Sequence, residues 1–285
     1  MRAEGVTGIG DARLMLIGPE RLFYAGLLGR PGVRNLGGIA IYVASAGRIV
    51  VRAGGGPDRV GSCAVVPAYM PHVISAEARD ILALKIEPET VDSDGLPGFI
   101  RQVLAAPGTA GIVDAPDVVA RVRAAHSALA ARAGSACPPA HAFDRSFFGA
   151  AIPSRPMDWR IRAVVRAAPS DVSAFPSAEA CAVSVDLSVS RFLHLFRDQT
   201  GVSFRNWRAW KRARISLAHV NRNPNLAHLA LDVGYPDQAH FSRSIRNIFG
   251  LRPRDIVAGS RRLDIRLTDG ILPPGLAPAG ASALR

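Results

Sequence analysis

Two stretches of the sequence repeat one arrangement of hydrogen-bonding and apolar side chains. In SAEACAVSVDLSVSRFLHLFRDQTG a short helical pattern breaks at Asp186, restarts behind Ser188 and closes at Gly201. In NLAHLALDVGYPDQAHFSRSIRNIFG the same plan runs through Gly234 and Asp237 to Gly250, 48 residues further along. The helical period sorts each second helix into two faces. Phe192, Leu195 and Phe196 form the inward stripe of the first copy, and Phe241, Ile245, Ile248 and Phe249 that of the second. Opposite them stand Ser190, Leu193, His194 and Arg197, and Gln238, Ala239, Ser242, Arg243 and Arg246. These outward side chains suit the edges of nucleic-acid bases. The Gln238 amide matches the donor and acceptor of adenine, the Arg243 guanidinium the two acceptors of guanine, and Leu193 or Ala239 can meet a thymine methyl. An outward leucine on a polar stripe has little purpose without a partner. A solvated face with a stray leucine is the competing reading, and the duplication with matched capping weighs against it.

Charge places the same segment apart from the rest. Residues 157–263 carry 17 Lys and Arg against 8 Asp and Glu, whereas residues 1–156 carry 16 against 13. A merely arginine-rich composition would spread the excess evenly; concentration in one segment is the footprint of a polyanion binder. Between the copies, SFRNWRAWKRARISLAHV predicts one helix of roughly 17 residues, about 25 Å long. Phe204, Trp207, Trp210, Ile215 and Leu217 are its apolar positions and read as core; Arg205, Arg208, Lys211, Arg212 and Arg214 cover much of the rest. Such a spacer could set two reading helices into successive major-groove segments, about 34 Å apart.

The remainder of the 285 residues supplies a second core. From Glu20 to about Pro88 short alternating runs punctuated by Gly and Pro predict a small sandwich or barrel, with Ile39, Ile41 and Val43 and then Ile49 and Val51 forming a hairpin, and Leu82, Leu84 and Ile86 sharing one face. Helical spacing follows in FIRQVLAAP and in PDVVARVRAAHSALAARAG, where Asp117 is the expected N-cap and Val118, Val122 and Leu129 make an apolar stripe suited to a dimer surface. Residues 135–156 read as a linker in which Phe143, Phe147 and Phe148 pack. The Pro- and Gly-rich end carries no period and is expected to be disordered. Apolar runs are too short for a membrane span and the N-terminus lacks a secretory core, so a cytoplasmic site of action is expected. Cys63, Cys137 and Cys181 form neither a disulfide framework nor a zinc knuckle and are expected to be buried or idle. No nucleophile elbow or phosphate-binding loop is present, and Gly54-Gly55-Gly56-Pro57 reads as a plain loop.

The residues of the repeat resemble the DNA-binding domain of the AraC/XylS family of bacterial transcription regulators. The likeness runs from near Asp158 to Ile256 through Leu187-Ser188, Phe192, Phe196, Trp207, Arg212 and Val233-Gly234-Tyr235, and is most specific in HFSRSIRNIFGLRP. It implies base-reading sites at Ser190, Leu193 and His194 and at Gln238, Ala239, Ser242 and Arg243, the residues that the helical period selects. Asp186 stands where the family has a turn glycine, and His194 where it has an arginine, which implies weaker contacts from the first unit. The N-terminal half is similar, through Gly61, Pro67 and His72, to the cupin-like effector domain of such regulators. One histidine in that domain cannot build a metal site, so no metal, cofactor or catalysis is expected.

The resulting expectation is an α+β, two-domain protein: a cupin-like effector domain over 1–110, a helical dimerisation and linker segment over 111–156, a double helix-turn-helix domain with a linker helix over 157–260, and a disordered tail over 261–285. Its expected partners are double-stranded promoter DNA, RNA polymerase (the resemblance implying activation), a second copy in a homodimer, and a small-molecule effector held by Tyr24, Tyr42, Tyr69 and His72. The rivals are a cupin-type metalloenzyme fused to a DNA-binding domain and an effector-independent dimeric DNA-binding protein.

Overall fold

The computed structural model describes residues 12–106, 110–132, 134–167, 176–220 and 225–268. In chain order the strands are β1 (Leu14–Ile17), β2 (Arg21–Leu27), β3 (Ile39–Ala44), β4 (Ile49–Ala53), β5 (Arg59–Gly61), β6 (Cys63–Val66), β7 (His72–Ala76), β8 (Asp80–Ile86), β9 (Gly111–Ile112) and β10 (Asp264–Leu267). The helices are α1 (Gly98–Leu104), α2 (Pro116–Ala130), α3 (Ala140–Phe148), α4 (Trp159–Ala167), α5 (Ala178–Ser184), α6 (Val189–Thr200), α7 (Phe204–Ser216), α8 (Leu226–Asp232), α9 (Gln238–Phe249) and α10 (Pro253–Gly259). A sheet-rich N-terminal unit and a helical C-terminal unit are thus both present, and the C-terminal unit contains the two expected helix-turn-helix pairs, α5–α6 and α8–α9.

The large sheet runs β10-β1-β2-β8-β3-β6-β9 and the small one β5-β4-β7. Along β3 every residue is buried, because its two faces serve two cores. Ile39, Ile41 and Val43 join Leu82, Leu84 and Ile86 in a core roofed by α1, α2 and α3. Ala40, Tyr42 and Ala44 face the other way, toward Ile49, Val51 and Ile74 of the small sheet. This double burial corrects the expected hairpin: β3 pairs with β6 and β8, and β4 with β5 and β7. The turn through Gly47 (φ 63°) carries the chain from one sheet to the other, so both strands keep an apolar inner face without pairing.

Three further expectations change. Residues Gly111 and Ile112 pair with β6, so the sheet unit continues past residue 110. The stripe of α2 proposed for dimerisation is already used: Val118 and Val122 are buried in the core beneath the helix, and Leu129 packs against it. Asp117 lies inside the first turn, behind Pro116 at the helix start, and Ala115 occupies the N-cap position. The linker reading of 135–156 holds in part, since α3 buries Phe143 and Phe147 completely. Arg21 on β2 fixes that helix with two hydrogen bonds to Asp144, at 2.7 and 2.8 Å, both side chains being buried. A bidentate pair of this kind is the geometry in which a buried ion pair recovers its desolvation cost.

The expected tail is also partly ordered. Ahead of the Pro-rich stretch, Leu263, Ile265 and Leu267 alternate, and β10 lies parallel to β1 in register Leu14↔Asp264 to Ile17↔Leu267. Arg266 is buried, donating to the carbonyl of Leu129 and the hydroxyl of Ser135, each at 2.9 Å. Residues 269–285 lie outside the described residues. All three cysteines are buried and free. Among the described residues no helix is long and apolar enough to cross a membrane.

Candidate nucleic-acid interface

Each helix pair owes its sharp turn to one residue with positive φ. In the first pair this is Asp186 (φ 53°), in the second Gly234 (φ 71°); Asp reaches the left-handed region at a modest cost, which is why it can replace glycine here. The following helices are capped alike. Ser188 Oγ accepts from the Arg191 amide at 3.3 Å, and Asp237 Oδ1 from the His240 amide at 2.7 Å. Gly201 (φ 75°) and Gly250 (φ 69°) close them in the left-handed conformation, each donating its amide to a carbonyl one turn back. The positions of the outward side chains follow from these fixed ends.

Phe192 and Phe196 point into the first unit and Phe241, Ile245 and Phe249 into the second, all buried; Leu195 and Ile248 are half-buried at the margins. Ser190, Leu193, His194 and Arg197 are exposed on α6, and Gln238, Ala239, Arg243 and Arg246 on α9, with Ser242 half-buried. Leu193 is 39% exposed on this otherwise polar surface. The ring of His194 is oriented by its own helix: Nδ1 lies 2.9 Å from the Ser190 carbonyl. A carbonyl only accepts, so Nδ1 carries the hydrogen, and in the neutral ring Nε2 is left as an outward acceptor.

The linker helix α7 is shorter than expected and continues as a 3-10 turn over Leu217–His219. One of its faces is locked to the sheet unit. After β8 the chain turns through Pro88–Thr90, and Glu87 and Glu89 at this turn meet α7. Glu87 accepts from Trp210 Nε1 at 2.9 Å and Lys211 Nζ at 2.8 Å and faces Arg214 Nε at 3.2 Å. Glu89 accepts from Trp207 Nε1 at 2.8 Å and pairs with Lys211 at 2.8 Å. Arg214 also donates to the carbonyls of Gly18, Pro19 and Arg21. Burial pushes the Glu87 carboxyl up, but Lys211, then Arg214, and the hydrogen bonds from Lys211 and Trp210 outweigh it and hold the group below its usual range. The two tryptophans are core, as expected. Their indole N–H groups have carboxylate partners that no pattern within α7 predicts.

Where the second unit meets the sheet, a cavity of about 320 Å3 opens between β2, β8, α9 and α10. Its walls are apolar: Leu22, Leu36 and Ile81 from the sheet, Leu217, Phe249 and Ile256 from the helical unit. Its polar side chains are Tyr24, Arg30, Arg34, Lys85, Asp255 and Ser260. Lys85 is 8% exposed and has no ion pair among the described residues; its ammonium lies 5.9 Å from the Tyr42 ring centre. Burial lowers its pKa to about 7, with Arg34 and Arg214 adding repulsion and Glu87 opposing. Arg34 donates to the Leu28 carbonyl at 2.8 Å, while its Nε is buried without a hydrogen-bond partner.

The four residues expected to hold an effector do not share one pocket. Tyr24 lines the cavity, its hydroxyl donating to the Leu27 carbonyl at 2.7 Å. Tyr42 and His72 pair behind it, O to Nε2 at 2.8 Å. Tyr69 (φ 59°) packs against the core of the first helix-turn-helix unit. Both nitrogens of His72 are engaged, Nδ1 with the Met70 carbonyl at 2.8 Å, and burial lowers its pKa to about 4. The ring is neutral and held as a structural hydrogen-bonding group. Among the described residues no three His, Cys, Asp or Glu converge as metal ligands. Sequence reasoning missed Lys85 and Arg34. The signal was available for Lys85: with Leu82, Leu84 and Ile86 on one face of the strand, Ile81, Ala83 and Lys85 share the other, where a lysine has to be explained.

Comparison with known proteins finds likenesses for parts of the chain. Residues 181–258 match a family model described as a helix-turn-helix domain. The Arabinose operon regulatory protein of Escherichia coli (strain K12) is 37% identical over 109 residues, covering 36% of this chain and 36% of that relative. Its namesake in Salmonella typhimurium is 40% identical over 78 residues, 26% of this chain and 27% of the relative. The alignments therefore span about a third of these relatives or less. Among solved structures, a single-substitution variant of ToxT in its apo form, from Vibrio cholerae strain SCE256, superposes with a TM-score of 0.54 at 11% identity, covering 84% of this chain and 97% of that one, a likeness of fold over both units.

Proposed function

We propose that the whole chain is a sequence-specific transcriptional regulator controlled by a small molecule, a reading supported by the helix-turn-helix match over residues 181–258 and by the partial likeness to the Arabinose operon regulatory protein. The observation that carries the DNA-binding reading is the duplicated pair of capped helices whose outward stripes, Ser190 to Arg197 and Gln238 to Arg246, stay uncovered while the opposite face of each helix is packed. Arg243 and Gln238 have the hydrogen-bonding groups for guanine and adenine edges. The first unit offers fewer such groups, with His194 presenting a single acceptor, so the second unit is assigned the more stringent half of the site.

The cavity between the sheet and the second unit supports control by a ligand. Apolar walls with a buried lysine and a half-buried arginine but a single acidic side chain, Asp255, suit a molecule with an apolar body and one anionic head, taken by Lys85 and Arg34. Because its walls come from both units, a ligand there would favour whichever arrangement of the two fits it better, and DNA affinity would shift by that difference. Nothing in this reading requires catalysis, and His72 is committed to Tyr42 and Met70.

The test of the DNA-binding reading is Arg243→Ala, assayed at fixed salt on duplexes selected by the unaltered chain. The expected loss is about 1–3 kcal/mol with relaxed preference at one or two base pairs. Unchanged affinity and preference would remove the second reading helix from the interface.

A further inference from the structure

The five cations of α7 divide between two faces with different fates. Lys211 and Arg214 are spent inward on Glu87 and Glu89. Arg205, Arg208 and Arg212, at i, i+3 and i+7, lie on the other face and floor a separate cleft of about 420 Å3. This cleft lies between the two helix-turn-helix units: Leu193 of α6 stands on one wall, His240 of α9 on the other, and Glu179 is the one acidic side chain among its lining residues. Arg205 is exposed. Arg212 Nε is buried without a hydrogen-bond partner, and its guanidinium lies 5.9 Å from the Tyr235 ring centre. Burial and the neighbouring Arg208 both make the charge on Arg212 less favourable. Three guanidinium groups against one carboxylate, in a concavity between two reading helices, favour an anionic occupant.

The geometry points to a third DNA contact: this cleft takes the sugar-phosphate backbone at the centre of the operator, between the two major-groove segments read by α6 and α9. The inference rests on the DNA-binding reading above. With two helices in successive major-groove segments, the backbone that bounds the intervening minor groove lies against whatever joins them. Here that is the arginine face of α7. Contacts of this kind position the protein and carry the salt dependence of binding, with no information about sequence.

The assay uses the full chain and a duplex recovered by selection, with affinity measured across salt concentrations. For Arg205→Ala/Arg208→Ala the slope of log K against log[salt] is expected to fall by about 2, while the preferred sequence stays the same. Glu179→Gln should act in the opposite sense and bind several-fold more tightly. Arg212→Lys, which keeps the charge, should retain the slope, and the unchanged sequence preference of the double variant shows that its loss is not misfolding. Ethylation of individual phosphates should interfere with the unaltered chain at the centre of the site and cease to do so with the double variant. An unchanged slope in the double variant, with Arg243→Ala still altering base preference, would overturn the cleft contact alone. No selected duplex at all would overturn the DNA-binding reading and this inference with it.

Discussion

The two helix-turn-helix units share a local plan and differ in what surrounds them. The first closes its own core: Ile161, Phe192, Phe196, Phe204 and Trp207 form a cluster apart from the sheets, with the aromatic rings edge-on at 5.1 to 5.2 Å. Its ties to the sheet unit include Tyr69 and the Glu89–Trp207 hydrogen bond. The second has no separate core. Phe241, Ile245 and Phe249 belong to one cluster with Leu36, Tyr42 and Ile74; the Asn35 amide donates to the Ile248 carbonyl at 2.9 Å; and β10 returns the chain to the sheet directly after α10. Similar helices, turns and caps thus yield one helix-turn-helix unit with a core of its own and one that is continuous with the sheet unit. A motif sets its local geometry, but residues outside it decide what it is coupled to. A ligand in the cavity would act on the second head first.

Core truncation should break this comparison most visibly. Phe192→Ala and Phe241→Ala each remove a fully buried ring and should cost about 3–5 kcal/mol. Hydrogen exchange should accelerate only in α4–α7 for the first, but across α8–α10 and the adjoining strands for the second. Equal spread in both variants would erase the distinction. Glu87→Gln comes next, at about 3 kcal/mol, since it leaves Lys211 and Arg214 buried with one carboxylate between them; its melting transition should show the second unit loosened from the sheets.

The cavity sharpens the contrast through pH. With the Lys85 pKa lowered to about 7, octanoate as a probe should bind about twofold more weakly at pH 7 than at pH 6, then approach a tenfold loss per pH unit above 8. Calorimetric titration should show proton uptake on binding near pH 8, and Lys85→Met should remove both the pH dependence and most of the affinity. Binding that strengthens with pH would contradict the assigned head group. The smallest effect belongs to the caps: Ser188→Ala and Asp237→Ala should each cost about 1 kcal/mol, with the loss at Asp237 reaching the sheet unit and that at Ser188 staying local, as read in the same exchange experiment.

How much of this was legible in the sequence follows the range of the forces involved. Capping, turns and the inward stripes of α6 and α9 depend on neighbours within a few residues, so Ser188, Asp237, Phe192 and Phe241 could be placed from spacing alone. The pairing of β3 and β4 could not, because alternation gives a strand its faces but not its partner; burial on both faces of β3 put the two in different sheets. The same holds for α2, whose apolar stripe is genuine and whose occupant is its own sheet. Glu87 with Lys211 and Asp144 with Arg21 are more than a hundred positions apart, and each charge is ordinary in its own segment. The expected effector residues show the same limit: Tyr24, Tyr42, Tyr69 and His72 were grouped by chemistry, and of the four Tyr24 lines the cavity, whose other walls include Lys85 and Arg34 with Phe249 and Ile256 of the distant helical unit.

The central claim is that the two heads read one bipartite DNA site. It is tested most directly by presenting the unaltered full-length chain with fragmented genomic DNA at about physiological salt and sequencing what it retains. The account predicts enrichment of a two-part sequence whose halves lie one helical turn apart, the half assigned to α9 being the more constrained. Retention of DNA without sequence preference would contradict it, reducing the C-terminal unit to a basic surface and leaving its ordered stripes without a function.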